Sequence, residues 1–239
     1  DTLTKKVNYL INAYNDNLEQ ASGKIEVNTL GTNIKWSRAV KNDLNNGLKY
    51  KFDPKHVIDA IYRPFTKSHL YFDKQLNEMQ YQLSAMYRTE INPTISFLSI
   101  SSSNELAVMG VNQVFDYCLL KMGNGGTQAV SRWVYDSNGN RIDNITDWAL
   151  KQFTANYKTT GKSKKISKES IFHYCYAVLH DPVYREKYAL NLKREFPRIP
   201  FYTDFWQWAA WGEHLMAMHI GYEGVAPFKL ERVDIEDTK

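Results

Sequence analysis

Histidines crowd the C-terminal part of the chain, at His173, His180, His214 and His219, where a metal or acid–base site would attract attention. Their spacing argues against one. No HExxH or carboxylate-spaced set occurs, so these side chains read as structural histidines at the edge of a core. Gly123-Asn124-Gly125-Gly126 lacks the lysine and the strand–helix setting of a phosphate loop and reads as a turn. The acidic residues are scattered, and no nucleophile–base set stands out. What the sequence offers instead is binding chemistry. Tyr62-Arg63-Pro64-Phe65, with Lys67 and His69 after it, sets cations beside aromatic rings. Lys35-Trp36-Ser37-Arg38, with Lys41, is a second such cluster. Guanidinium and ammonium groups so placed can hold phosphates and position a duplex without reading it. The alternatives are that Arg63 pairs with a carboxylate such as Asp73 while the aromatics fill the core, and that the second cluster is a solvated helix start. The loops 99–104 and 123–128, with Ser101, Ser102, Ser103, Asn104, Asn124 and Gln128, carry side chains able to bond base edges. Polar loops have such side chains everywhere, so composition alone gives them no role.

These clusters need elements to position them. The spacing of Leu3, Val7, Leu10, Ile11, Tyr14 and Leu18 predicts an amphipathic helix over 3–20, ended near Gly23. Ser37 to Asn46 predicts a short helix, stopped by Asn46-Gly47, that lets Lys35, Arg38 and Lys41 share one surface. From Tyr50 to Tyr135, short β-branched and aromatic runs alternate with turns, at 57–62, 69–72, 95–100, 106–109 and 132–135. Ser137-Asn138-Gly139-Asn140 has hairpin-turn chemistry. Thr146 can cap a helix containing Trp148, Leu150, Phe153 and Tyr157. Lysines dominate the stretch from Lys158 to Lys168, which predicts a solvated connector between a β-rich core, 1–160, and a helical subdomain, 161–239.

The helical subdomain has the clearest punctuation. Ser167 can cap a helix whose Ile171, Tyr174, Cys175, Val178 and Leu179 share a face, and Asp181-Pro182 ends it and starts the next. Tyr184, Tyr188, Leu192 and Phe196 then recur every four residues until Pro197. Thr203 can cap a last helix, whose Trp206, Trp208 and Trp211 cannot all face one core. The acidic stretch from Val225 is expected to fray. The fold class is therefore α+β: a mixed or antiparallel β core flanked by helices, with a C-terminal bundle of about three helices.

Composition allows this. At 239 residues, 43% apolar and 14% aromatic, the chain can bury a sizeable core as one large domain or two small ones. A net charge of +4, from 30 basic against 26 acidic residues, permits nucleic-acid binding without requiring it. No apolar run is long enough for a membrane helix, and no secretory signal opens the chain. Cys118 and Cys175 sit in apolar contexts and read as buried free thiols in a reducing cytosol. The start at Asp1, without an initiator Met, suggests a piece cut from a larger protein.

Two blocks carry a family resemblance. IKWSRAVKNDL at 34–44 with IYRPFTKSHLYFDKQLNE at 61–78, and IFHYCYAVLHDPVYREKYALNLKREFPRIPF at 171–201 with DFWQWAAWGEHLMAMHIGYE at 204–223, resemble the C-terminal part of single-chain Type ISP restriction–modification enzymes. The resemblance covers nearly the whole chain and is loose over 84–160. It implies the target-recognition domain of a large bacterial, cytoplasmic polypeptide that also carries nuclease, helicase-like ATPase and methyltransferase domains. Double-stranded DNA and those other domains would be its partners. ATP, S-adenosylmethionine and magnesium would serve the whole enzyme, with no site and no catalytic residue in this chain. Phosphate contacts would then come from Lys35, Arg38, Lys41, Arg63 and Lys67, and base contacts from loops within 84–141. The rival reading is a protein-docking module, with the aromatic helix 204–222 as its face and no DNA contact.

Overall fold

Every residue of the strand Thr94–Leu98 is buried, and the rest of the molecule is arranged about it. The structure is a computed structural model, describing residues 2–20, 32–88, 91–98, 105–121, 126–157 and 164–231. The first helices are α1 (Thr2–Glu19) and α2 (Arg38–Asn45). Next come strands β1 (Val57–Arg63) and β2 (Thr66–Tyr71), the short helix α3 (Leu83–Met86), β3 (Thr94–Leu98), β4 (Ala107–Val111) and β5 (Val114–Phe115). They are followed by β6 (Gln128–Ser131), β7 (Trp133–Tyr135), β8 (Arg141–Asp143), α4 (Asp147–Asn156), α5 (Lys168–His180), α6 (Pro182–Lys187), α7 (Ala189–Leu192) and α8 (Phe205–Ile220). Among the described residues the strands form three small sheets, ordered β2-β1-β5, β4-β3-β6 and β7-β8. The first is mixed, since β5 runs parallel to β1, and the other two are antiparallel. The class is α+β, as the sequence predicts.

Alternation along β3 explains its unusual sequence. Ile95 and Phe97 point into a cluster built mainly from α4, α5 and α8. Thr94 and Ser96 alternate with them, and a buried hydroxyl needs a partner. Ser96 Oγ donates to the Met109 carbonyl at 2.6 Å, and Tyr87 donates to Thr94 Oγ1 at 2.7 Å. The helical subdomain therefore packs directly on this sheet. The Tyr176 hydroxyl on α5 accepts from the Gly110 N–H at 2.6 Å. Helices α5 and α8 approach closely at Gly212, where an added Cβ would lie 1.8 Å from the His173 carbonyl oxygen.

A second cluster joins α1, α2 and the β1–β2 hairpin. Val7, Leu10, Ile11 and Tyr14 bury one face of α1 against Trp36, Val40, Leu44, Tyr50 and Tyr71. Tyr14 stacks on Tyr50 at 3.9 Å, and burial pushes its hydroxyl pKa up to about 12. Asn46-Gly47 ends α2 as predicted: Gly47 takes φ +71°, and Gly47 and Leu48 N–H donate to the carbonyls of Leu44 and Asp43.

Several boundaries depart from expectation. The run Tyr184–Phe196 is two short helices, because α6 ends at Tyr188 with ψ 17° and α7 starts after it. Phe196 lies beyond both, edge-on to Phe97 at 6.0 Å. Asp204, not Thr203, caps α8, accepting from the Gln207 N–H at 3.1 Å. Strands β5, β6 and β8 and helix α3 carry too few residues for a periodic signal, and the sequence does not predict them. Lys158–Ser163 of the predicted connector, and Gly23, lie outside the described residues. Cys118 and Cys175 form no disulfide, and both are half-buried.

Candidate nucleic-acid interface

The α2 cluster divides by role. Lys35, Arg38 and Lys41 are exposed. Trp36 is not available to a ligand: it is 9% exposed and packs at 5.7 Å against Tyr14. Ser37 is the N-cap of α2, its hydroxyl accepting from the Val40 N–H at 3.2 Å. Both residues present the cations rather than adding to them. Arg38 meets Glu78 at 3.3 Å, with its own side chain 77% exposed. An ion pair so wet contributes little and exchanges easily for another anion.

On the hairpin, Arg63 is held more firmly. Its guanidinium donates to Asp116 Oδ1 at 2.7 Å and to the Tyr62 carbonyl at 2.6 Å, and lies 4.0 Å from the Tyr62 ring centre. Asp116, not Asp73, is the carboxylate; Asp73 faces His56 at 2.9 Å instead. Nor do the aromatics here fill the core, since Tyr62 and Phe65 are both about half exposed. Phe65 takes φ 54°, unusual for a side chain of its size, and is held by edge contacts to His219 at 5.8 Å and Tyr222 at 5.3 Å. Lys67 donates to Glu223 at 2.5 Å, a bond that raises its pKa. His69 lies opposite Asp59 in the hairpin register and contacts it at 2.8 Å.

Gln128 opens β6 half-buried, its amide donating to the Gly126 carbonyl at 3.3 Å. Ser101, Ser102, Ser103, Asn104 and Asn124 lie outside the described residues. Gln128 also lines a cavity of about 780 Å³ between α3, the β4-β3-β6 sheet and α5, with Tyr81, Tyr117 and Cys175 in its wall. Burial there pushes the Cys175 thiol up to about 12, which makes it a packing residue, not a nucleophile.

The carboxylates that answer these cations have no local signature in the sequence. Glu78, Asp116 and Glu223 stand 40, 53 and 156 residues from their partners, so nothing nearby marks them. Of the histidines of α5 and α8, His173, His180 and His219 are half-buried in the core wall, whereas His214 is exposed rather than at the core edge, because it lies on the solvent side of α8. Burial lowers the pKa of His173, His180 and His219, while Tyr176 bonds both the His219 ring and the Gly110 N–H. Among the described residues, no three His, Cys, Asp or Glu side chains are grouped to hold a metal, and no helix is long and apolar enough to cross a membrane.

The α+β scaffold thus leaves cations exposed on one helix, at Lys35, Arg38 and Lys41, and on a neighbouring hairpin, at Lys67. Residues 1–239 match the model of the Type ISP C-terminal specificity domain, and the chain belongs to that family. Among solved structures, the cryoEM DrdV–DNA complex matches with TM-score 0.86 and 41% identity, over 100% of this chain and 23% of that one. The Type ISP restriction–modification enzyme LlaGI, as a nuclease-deletion mutant with a DNA substrate mimic, matches with TM-score 0.74 and 24% identity, over 95% and 20%. The ATP-dependent Type ISP enzyme LlaBIII bound to DNA gives 0.76 and 22%, over 94% and 14%. The last two likenesses concern the fold alone. This chain spans less than a quarter of each of these structures. No curated protein matches it.

Proposed function

We propose that this chain recognises a specific sequence in double-stranded DNA as the specificity part of a bacterial restriction–modification enzyme. Exposed Lys35, Arg38 and Lys41 on and beside a capped helix carry the reading, because among the described residues the carboxylate that meets them is Glu78, in a wet pair with Arg38 at 3.3 Å. Lys67 and Arg63 join them once their carboxylates yield to phosphate, and the loops 99–104 and 123–128 contact bases. The chain is non-catalytic by itself. It directs methyltransferase and nuclease parts of the same polypeptide, which use S-adenosylmethionine, ATP and magnesium in the bacterial cytoplasm. Replacing Lys35, Arg38 and Lys41 by Ala tests this: affinity should fall for all duplexes alike, and the salt slope should flatten by roughly 0.9 for each phosphate no longer neutralised. An unchanged affinity and slope would remove α2 from the interface. A second reading, a protein-docking module, draws on Trp148 and Trp211, which stand 70% and 53% exposed on α4 and α8.

A further inference from the structure

Among the described residues, Trp133, Val134, Tyr135 and Ile142 of the β7–β8 ribbon join none of the three apolar clusters. Polar anchors hold it instead. Buried Asn92 donates to the carbonyls of Trp133 at 2.8 Å and Met86 at 2.7 Å, and accepts from the Trp133 N–H at 3.2 Å. Arg132, 4% exposed, binds Glu169 at 2.6 Å and also Asp143, and lies 3.8 Å from the Trp133 ring centre. A buried arginine between two carboxylates is costly to build and costly to break, so the base of the ribbon is rigid.

Its turn is equally fixed. Asp136 accepts from the N–H groups of Asn138 at 2.9 Å and Asn140 at 2.8 Å and from the Asn140 amide at 3.0 Å, so its charge is turned onto the loop. Gly139 takes φ +86°. Arg88 crosses from the segment after α3 to donate to the Asp136 carbonyl at 3.0 Å. The turn exposes neutral amides and a hydroxyl, at Ser137, Asn138 and Asn140, flanked by exposed Arg88 and Arg141, while Ile142 of β8 is 48% exposed. Arg141 lies 4.5 Å from the Trp133 ring centre.

We propose that the β7–β8 ribbon enters the major groove of duplex DNA, with Ser137, Asn138 and Asn140 at base edges and Arg88 and Arg141 on the phosphates beside them. This rests on the DNA-recognition reading above and adds to it a base-reading element outside the two loops. The major groove admits a two-stranded ribbon, and Asn is among the side chains whose amide pairs with adenine there. A rigid presentation matters because a mobile hairpin would lose its ordering entropy on binding. The cationic flanks fit a polyanion and oppose a basic protein surface.

The test compares the chain with its Ser137→Ala/Asn138→Ala and Arg88→Ala variants, by selection from a random duplex library and by salt titration on the selected duplex. The tip variant should lose discrimination at one or two adjacent base pairs. It should bind the parent's duplex roughly ten-fold more weakly while non-specific affinity stays within about two-fold. Arg88→Ala should weaken specific and non-specific binding together and lower the salt slope by about 0.9. Either variant matching the parent in both readouts overturns the ribbon's role while the DNA reading stands. A parent that selects no sequence overturns both.

Discussion

At Gly212 two opposed residue effects can be weighed directly. Alanine in a helix interior is favoured over glycine by about 1 kcal/mol. At this position the added methyl would meet the His173 carbonyl at 1.8 Å, which neither helix backbone can avoid without moving. Overpacking of that kind costs typically 1–3 kcal/mol or more, so Gly212→Ala should lower the melting temperature by several degrees, where propensity alone predicts a rise. The large aromatics of α8 sort in the same way. Phe205 is 3% exposed and stacks on Tyr174 at 5.2 Å, so Phe205→Ala should cost roughly 3–5 kcal/mol in chemical denaturation. Trp206 is only half-buried, with Lys164 over its ring at 4.8 Å, and its truncation should cost clearly less. The histidines give a pH dependence. Desolvation holds His173, His180 and His219 below the ordinary histidine pKa in the folded chain. Between the lowered native pKa and the unfolded value near 6.5, the unfolded state binds more protons, so stability rises with pH through that window. Stability should be full above about pH 6.5 and fall as pH drops below it, by up to about 1.4 kcal/mol per pH unit for each histidine that stays neutral. A melting temperature equal at pH 7.5 and 5.5 would contradict that account.

Elements with a full period and a cap were legible; short ones set by tertiary pairing were not. Helix α5 carries both signals. Its Ser167–Ser170 capping box and its face of Ile171, Tyr174 and Val178 are written locally. Strand β5 has two residues, Val114 and Phe115, and exists only because β1 lies beside it. The candidate site follows the same division. The cations Arg38, Arg63 and Lys67 were visible as residue types beside turns and caps, while their carboxylates come from distant segments. The boundary at 160/161 can be put to a test of its own. Trypsin should cut first at Lys162, Lys164 or Lys165, and the fragments should stay together in native gel filtration. The reason is that Ile95 and Phe97 of β3 share one cluster with α5 and α8. Fragments that separate and each keep a cooperative melt would make them independent domains.

For the whole molecule, the described surface offers two kinds of feature: the cations of α2 and the β1–β2 hairpin, of which Arg38 and Lys67 meet exposed or partly exposed carboxylates, and the exposed rings of Trp148 on α4 and Trp211 on α8. A domain that recognises DNA while docked to the rest of an enzyme has use for both, one for phosphate and one for protein. A pure docking module has use only for the second. The salt-dependent binding of the unaltered chain to a random duplex library separates these most directly. Sequence recognition predicts one enriched motif, and an affinity whose logarithm falls linearly with the logarithm of salt at a slope set by several phosphate contacts. A chain that enriches no motif and binds duplex weakly, with a flat salt dependence, would contradict it.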